Sequence, residues 1–570
     1  MLTSIVIATY NKLEYTQLCI ESIRKYTERG SYEIIVVDNQ STDETVDWLK
    51  KQDDIKAIYN NQNLGFPKAC NQGIEISAGD NILLLNNDTI VTSNWLTNLI
   101  TALYSASNVG AVGSVTNNCS YLQTIPVNYS NMEEMQDFAH QINHSNPSSW
   151  EERLKLIGYC MLIRKSVVDQ IGLLDERFTP GNYEDDDYSL RIRLEGYKLL
   201  LCKDTFIHHF GSVSFGEVEK SYYDLLNRNR GKFISKWGFH PDEAHHFEMD
   251  FVSSLEKPND SYLRVLHIGS GLGGTLLRIK HEYPNAELYG HEMNESMVQL
   301  LNKSLDIKYV DINPSKADLL NNYFDYIYIQ NPLVINIDSV SKMLKEDGTL
   351  ITMYPHLLHY KVIKGMLTGG INRRELQALT LVEVEEIFQK TAFGHVEIVG
   401  VVEKTITDEN KQFLSSLNQI KNMSISTVHE ITHFYVKAKR LDKTAEMKSM
   451  VNYILTQTHT EFYLEKMLDY DEQIVINLIE ENGGGQFVEI LNFLAVQYLD
   501  QNNLQLALAY LKAAFEKDQG NSSTLFNLGL TMYRMEQFEL ALEWFELIPQ
   551  KSPQVLHWME QIRMEISIQV

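Results

Sequence analysis

The sequence predicts a multidomain chain in which two α/β domains are followed by an all-α domain. Three observations carry this reading. At 570 residues the chain exceeds what one hydrophobic core supports. Short continuous apolar runs alternate with amphipathic segments over residues 1–240 and again over 262–440, as strands covered on both faces by helices do. From residue 441 onward strand signals vanish and helical periodicity takes over.

In the first zone the runs SIVIA (4–8), EIIVVD (33–38) and NILLLNND (81–88) predict strands of a mostly parallel sheet. Two of them end in an acid. Ligands of open α/β sheets bind beyond the carboxyl ends of the strands, so Asp38 and Asp88 fall where a site is expected. The stretch NYEDDDYSLRIRLEGY (182–197) sets Glu184, Asp185, Asp186 and Asp187 side by side ahead of a predicted helix whose stripe is Leu190, Leu194 and Tyr197. Like charges raise one another's proton affinity, although a helix N-terminus also welcomes acids.

Residues 241–261 predict a solvated linker ending in a turn-like PND. His240, His245, His246, Glu248 and Asp250 fall in or beside it at spacings that match no strong metal-ligand pattern. In the third zone Leu491, Leu494, Ala495, Tyr498, Ala507, Leu511 and Ala514 are answered 34 residues later by Leu525, Leu528, Gly529, Met532, Ala541, Phe545 and Ile548. Pro553 closes the unit, and residues 444–480 and 555–566 predict flanking and capping helices.

Composition excludes several classes. A formal net charge of −25 excludes a nucleic-acid binder, which needs a basic stripe. No apolar run reaches the roughly 20 residues that span a bilayer. Five cysteines, odd in number and without a C-x-x-C pair, predict buried thiols of a reducing compartment. With no signal-like N-terminus, the expected location is cytoplasmic.

The motifs SIVIATYNK, EIIVVDNQSTDET, NQNLGFPKACNQGI, LLLNNDTIV, GYCMLIRKSVVDQIGLLDERF and YEDDDYSLRIRLEGY, with IHHFGSVSF downstream, stand in one order over about residues 3–235. In that order they resemble glycosyltransferase family 2, inverting enzymes of the Rossmann-like GT-A fold. The resemblance implies a nucleotide-sugar donor (UDP- or dTDP-linked) and a divalent cation, Mn2+ or Mg2+. Thr9, Tyr10, Asn11, Asp38, Asn86 and Asn87 are implied donor contacts, with Asp38 accepting from a pyrimidine imide. Arg191 is a candidate diphosphate contact, with a solvated helix face as its alternative. Asp88 is the implied metal ligand, although the element reads Asn86-Asn87-Asp88 and lacks the leading acid of D-x-D. The second ligand is implied to be His209 or His208, His209 fitting H-x-G-S-x-S better. Asp185 is implied to be the base that takes the acceptor proton, a task suited to a carboxylate with a raised pKa, and Glu184 to hold the acceptor.

The second zone, with LRVLHIGSGLGGTLLRI (263–279) and ELYGHEMNESM, resembles a class I S-adenosylmethionine-dependent methyltransferase. The resemblance implies cofactor contacts at Gly269, Gly271, Gly273, Glu292 and Asp311, in a fold that is either active or a binding remnant. The third zone resembles tetratricopeptide repeats, two of them over about 488–554 with a capping helix, which implies a peptide or partner protein on the concave face. Together these resemblances imply a transferase acting on a protein acceptor such as flagellin or another surface protein. The alternatives are a polysaccharide glycosyltransferase with a glycan acceptor and a non-catalytic scaffold of a glycosylation complex.

Overall fold

The computed structural model describes residues 1–211, 219–303, 306–312, 320–370, 377–389, 391, 393–420, 428–441, 443–456, 463–464, 467, 470–482 and 484–569. The described chain forms two compact units, Met1–Leu319 with Tyr326–Asn331, and Leu320–Asp325 with Pro332–Val570.

The first unit opens with strands β1 (Thr3–Thr9), β2 (Tyr32–Asp38), β3 (Ile55–Tyr59), β4 (Asn81–Leu85), β5 (Thr89–Ile90), β6 (Val109–Val115), β7 (Trp150–Arg153), β8 (Cys160–Arg164), β9 (Lys198–Phe206) and β10 (His208–His209). Eight of them build one sheet in the order β3-β2-β1-β4-β8-β6-β9-β7, and β5 pairs with β10 in a separate two-stranded ladder. The β3-β2-β1-β4 portion is parallel. β8 runs antiparallel to both β4 and β6, and β7 antiparallel to β9.

The continuous apolar runs follow from this architecture. Side chains alternate faces along a strand, so Ile5, Ile7, Ile34 and Val36 enter the core formed with Cys19, Ile20, Ile23 and Trp95. Val6 and Ile35 enter the opposite core with Cys70, Ile74, Val167 and Tyr188. With helices on both faces the strand centres are apolar and buried polar residues stand at the strand ends, as Thr3, Ser4, Thr9 and Asp38 do, and each buried Val or Ile contributes about 1.5–3 kcal/mol.

The segment expected to be a solvated linker is packed. It forms short helices at Pro241–Ala244 and Met249–Ser253 and buries Ala244, His245, Phe251 and Val252. Its neighbours in space, absent from any local pattern, supply the apolar cover. Beyond it, β11 (Arg264–Ile268), β12 (Glu287–His291), β13 (Ile307–Tyr309) and β14 (Phe324–Ile329) pair in parallel in the order β13-β12-β11-β14. Within the first unit Glu151, fully buried, meets Arg153 at 3.1 Å and Arg278 at 2.7 Å.

In the second unit β15 (Leu344–Pro355), β16 (Phe393–Val402) and β17 (Ile431–Arg440) pair antiparallel with β17 in the middle. Helices follow at Lys443–Leu455, Glu472–Asn482, Phe487–Asp500, Leu504–Lys517, Ser522–Arg534, Phe538–Glu546 and Pro553–Gln569. All fourteen positions of the 34-residue pattern are buried, so its apolar repeat is the core of this helical region. Gly529 is required there, because a Cβ on it would lie 2.8 Å from the Phe545 ring. Among the described residues no helix is long and apolar enough to cross a membrane.

Candidate active site

The turns after β1, β2 and β4 converge at the carboxyl edge of the parallel strands. Asp38 ends β2, is 1% exposed, and accepts from the Ser41 N–H through Oδ2 at 3.0 Å. Its Oδ1 is buried without a hydrogen-bond partner. A buried carboxylate oxygen with nothing to accept from is costly, and it is the expected mark of a group that receives a ligand N–H or O–H. Asn11, at a positive φ of 56°, ties the first turn to the second by accepting from the Thr42 N–H at 2.7 Å, while its own N–H donates to Ser41 Oγ. Thr9 and Asn87 serve the frame: Asn87 Nδ2 donates to Thr9 Oγ1 at 3.2 Å and Thr16 Oγ1 at 3.1 Å. Tyr10 stands 40% exposed beside them.

The two-residue ladder sets the next pair. Thr89 is registered opposite His209 and Ile90 opposite His208, and the Phe210 N–H donates to the Asp88 carbonyl at 3.0 Å. His209 Nε2 therefore lies 3.2 Å from Asp88 Oδ1, and Nδ1 bonds the Asn118 carbonyl at 2.8 Å. Since a carbonyl only accepts, Nδ1 carries a proton and Nε2 faces the carboxylate. Burial lowers the His209 pKa, but the Asp88 contact outweighs it and leaves the imidazole above its ordinary value. Asn86 Nδ2 lies 3.5 Å from the same Nε2. Asn117 brackets His209, accepting from its N–H at 2.9 Å and donating to its carbonyl at 3.1 Å. His208 turns away: Tyr129 Oη meets its Nδ1 at 2.6 Å, and burial and His209 push its pKa down to about 4.

A divalent cation fits this pair. A carboxylate oxygen and an imidazole nitrogen whose other nitrogen is fixed by a carbonyl are suitable donors. Among the described residues no group of three or more His, Cys, Asp or Glu is set to hold a metal ion, so diphosphate oxygens and water would complete the shell. Ser212 and Ser214 of the histidine motif lie outside the described residues.

The acid run is the first turn of a helix, Glu184–Leu194, which thus starts earlier than its apolar stripe suggests and ends before Tyr197. Asn229 Nδ2 pins the preceding loop through the carbonyls of Phe178 and Gly181, at 2.7 and 2.8 Å. The four acids then separate in role. Asp187 is fully buried between Arg191 Nε at 3.0 Å, Lys236 Nζ at 2.5 Å and Trp237 Nε1 at 3.0 Å. Asp186 pairs with Lys155 Nζ at 2.6 Å. Both acids answer cations of other elements as well as the helix terminus. Glu184 has a buried Oε2 with no partner, and burial followed by its acidic neighbours holds it well above the carboxylate range.

Asp185 accepts from the Gly158 N–H at 3.1 Å and the Asp186 N–H at 3.0 Å. Burial and the Asp186 charge raise its pKa to about 6, against Lys155 and the two N–H groups. Arg191 is not brought to the donor side: its Nη atoms donate to the carbonyls of Ile171 and Leu173, and its Nε to Asp187.

The dipeptide Gly158-Tyr159 joins the two clusters. Gly158 holds Asp185, the Tyr159 carbonyl accepts from the Asn86 N–H at 2.8 Å, and the Tyr159 ring stacks on His209 at 5.2 Å. Sequence reasoning left out Asn117, Asn118, Lys155 and the specific roles of Gly158 and Tyr159. The last two stand in the quoted GYC motif, and the paired asparagines follow a strand end, which is the one local signal they give.

A family model described as Glycosyl transferase family 2 matches residues 4–172. The low-salt glycan biosynthesis hexosyltransferase Agl10 of Haloferax volcanii is 30% identical over 269 residues, 46% of this chain and 82% of that protein. Protein y4gI of Sinorhizobium fredii is 24% identical over 276 residues, 45% of this chain, and the chain spans only 29% of its length. Among solved structures, the mannosyltransferase PcManGT from Pyrobaculum calidifontis in complex with GDP-Man and Mn2+ gives a TM-score of 0.31 at 14% identity, over 53% of this chain and 72% of that one.

Proposed function

The chain belongs to glycosyl transferase family 2, and from that premise we propose that it moves a hexosyl or deoxyhexosyl group from a nucleotide-diphosphate donor to an acceptor hydroxyl with inversion at the anomeric carbon. The observation that carries this reading is the Gly158-Tyr159 bridge, which links an Asp88–His209 pair to a carboxylate of raised pKa.

Asp185 removes the hydroxyl proton as the acceptor oxygen bonds to the anomeric carbon, and the bond from that carbon to the diphosphate oxygen breaks. The nucleoside diphosphate leaves with the electron pair, and the proton remains on Asp185. A base that titrates near 6 is ionised at neutral pH yet retains affinity for the proton. Asp38 Oδ1 receives a donor N–H or O–H from the base or ribose. A divalent cation bound by Asp88 and His209 would supply charge neutralisation for the diphosphate.

The domain plan that accompanies this reading is a transferase domain at 1–240, a connector at 241–261, a second α/β domain at 262–440 and a repeat domain at 441–570 that presents a protein acceptor. A glycan acceptor is the second reading, favoured by the name of the Haloferax relative, a glycan biosynthesis hexosyltransferase. Incubation of the purified chain with UDP- and dTDP-sugars, with Mn2+ or Mg2+ and then with chelator, tests the proposal, alongside Asp88→Ala and Asp185→Asn. Metal-dependent nucleotide release from one donor, lost in Asp88→Ala, is expected. Neither turnover nor binding of any donor would overturn it and leave a scaffold.

A further inference from the structure

The turn Gly269–Gly274 has the form that a nucleoside cofactor would use, and its glycines at 269, 271 and 273 all take positive φ. Each close approach they permit is nevertheless made by the protein itself. A Cβ on Gly271 would lie 2.5 Å from the Glu243 carbonyl oxygen and 2.8 Å from that of Ala244, and one on Gly274 would lie 2.9 Å from the His246 carbonyl. A Cβ on Gly269 would meet Gln330 at 3.2 Å, and one on Gly273 would collide with Ile307.

Hydrogen bonds close the same contact. The Leu272 N–H donates to the Ala244 carbonyl at 2.9 Å, and the Glu248 N–H to Thr275 Oγ1 at 3.0 Å. Glu292, the acid placed for a ribose, accepts from the N–H groups of Gly271 at 3.0 Å, Met293 at 2.8 Å and Asn294 at 3.3 Å. An N–H and a carboxylate that a nucleoside would need are thus already paired with each other. The residues do not fit S-adenosylmethionine.

The segment seated on this turn carries His245. That imidazole is 6% exposed, has Nδ1 3.3 Å from Asp186 Oδ1, and lies edge-on to Tyr121 at 6.0 Å between ring centroids. Asp186 in turn is held by Lys155 and immediately follows Asp185. We propose that the glycine-rich turn is a socket for the chain's own segment Glu243–Glu248 in place of a nucleoside, and that the seated segment holds His245 against Asp186 as a positioning residue for the acid run. The socket stands on the contacts alone, whereas the positioning role rests on the reading of Asp185 as the base.

The full chain titrated calorimetrically with S-adenosylmethionine and S-adenosylhomocysteine is expected to give no saturable heat at concentrations up to about 1 mM. Stoichiometric binding of either would overturn the socket. In Gly271→Ala, amide exchange across residues 240–250 is expected to speed at least about tenfold, because the added methyl displaces the Glu243 carbonyl. Unchanged exchange there in a folded variant would also overturn it.

For the positioning role, His245→Ala should lower kcat about tenfold with donor KM unchanged within about twofold, and His245→Asn should restore part of the loss. Unaltered kcat in a folded His245→Ala would refute it. Asp185→Asn run in parallel separates the two failures. Wild-type rates in that variant would remove the base assignment, while calorimetry and exchange would still decide the socket.

Discussion

Replacing Lys155 with Met removes a cation that holds the pKa of the proposed base down. The ammonium sits 2.6 Å from Asp186 and above the Tyr121 ring at 4.9 Å, and it lowers the pKa of Asp185 against burial and the Asp186 charge. With the Asp185 carboxyl at about 6, the ionised fraction is about 0.09 at pH 5 and about 0.91 at pH 7. The wild-type rate should therefore rise about tenfold over that interval. A unit charge at about 4 Å and an effective dielectric near 20 is worth about 4 kcal/mol, an upper bound here because Lys155 pairs with Asp186 and acts on Asp185 from farther away. Protonation of Asp186 once its partner is gone offsets part of that. An upward move of the acid limb by about one unit, equivalent to about 1.4 kcal/mol, is the expected remainder. The direction follows from the sign: loss of a cation favours the neutral carboxyl, so the base ionises at higher pH and activity at pH 6 falls further than activity at pH 8. Initial rates of nucleotide release from pH 5 to 8 at constant ionic strength measure it, with circular dichroism to confirm folding. An acid limb that stays in place or moves down would refute the reasoning.

Asp38→Asn leaves the buried acceptor neutral and adds an N–H where a donor N–H is received, so donor KM should rise tenfold or more with a smaller change in kcat, read from initial rates across donor concentrations. His209→Ala should lower the affinity for Mn2+, measured calorimetrically, by about 10- to 100-fold, and Asn118→Gly should change it little, because the contact to the imidazole comes from the Asn118 backbone. Arg278→Ala strips a partner from fully buried Glu151 and should cost about 3 kcal/mol, seen as a lower urea midpoint at unchanged slope. The Arg153 contact at 3.1 Å keeps that figure at the low end.

The strands were legible because both faces of the first sheet are covered, which leaves runs such as EIIVVD with no polar alternate. Asp38, Asp88, His209 and Asp185 were singled out by the order of their motifs, and the fold brings Asp88 and His209 together. The groups that give those residues their properties were not. Lys155 reaches Asp186 across 31 residues, Gly158 reaches Asp185 across 27, and Asn117 brackets His209 across 92. Local periodicity carries no information about such pairs. His245 shows the same limit: in a polar stretch it reads as solvated, and only tertiary packing buries it. The glycines at 269, 271 and 273 were legible as turn positions from their type, but their type does not say whether a nucleoside or a carbonyl of the chain approaches.

The reversal of β8 within the first sheet has a consequence for how the molecule could change. Asp38, Asn11 and the Asp88 loop hang from the parallel strands β1, β2 and β4, whereas Gly158 and the turn of residues 116–125 hang from β8 and β6, on the far side of that reversal. Under the proposed function, recognition of the nucleotide and recognition of the hydroxyl compound would occupy adjoining halves of one platform, joined through the Gly158-Tyr159 peptide. Turns on the second half could then be lengthened or rebuilt for a new acceptor without disturbing Asp38, Asn11 and the Asp88 loop on the first.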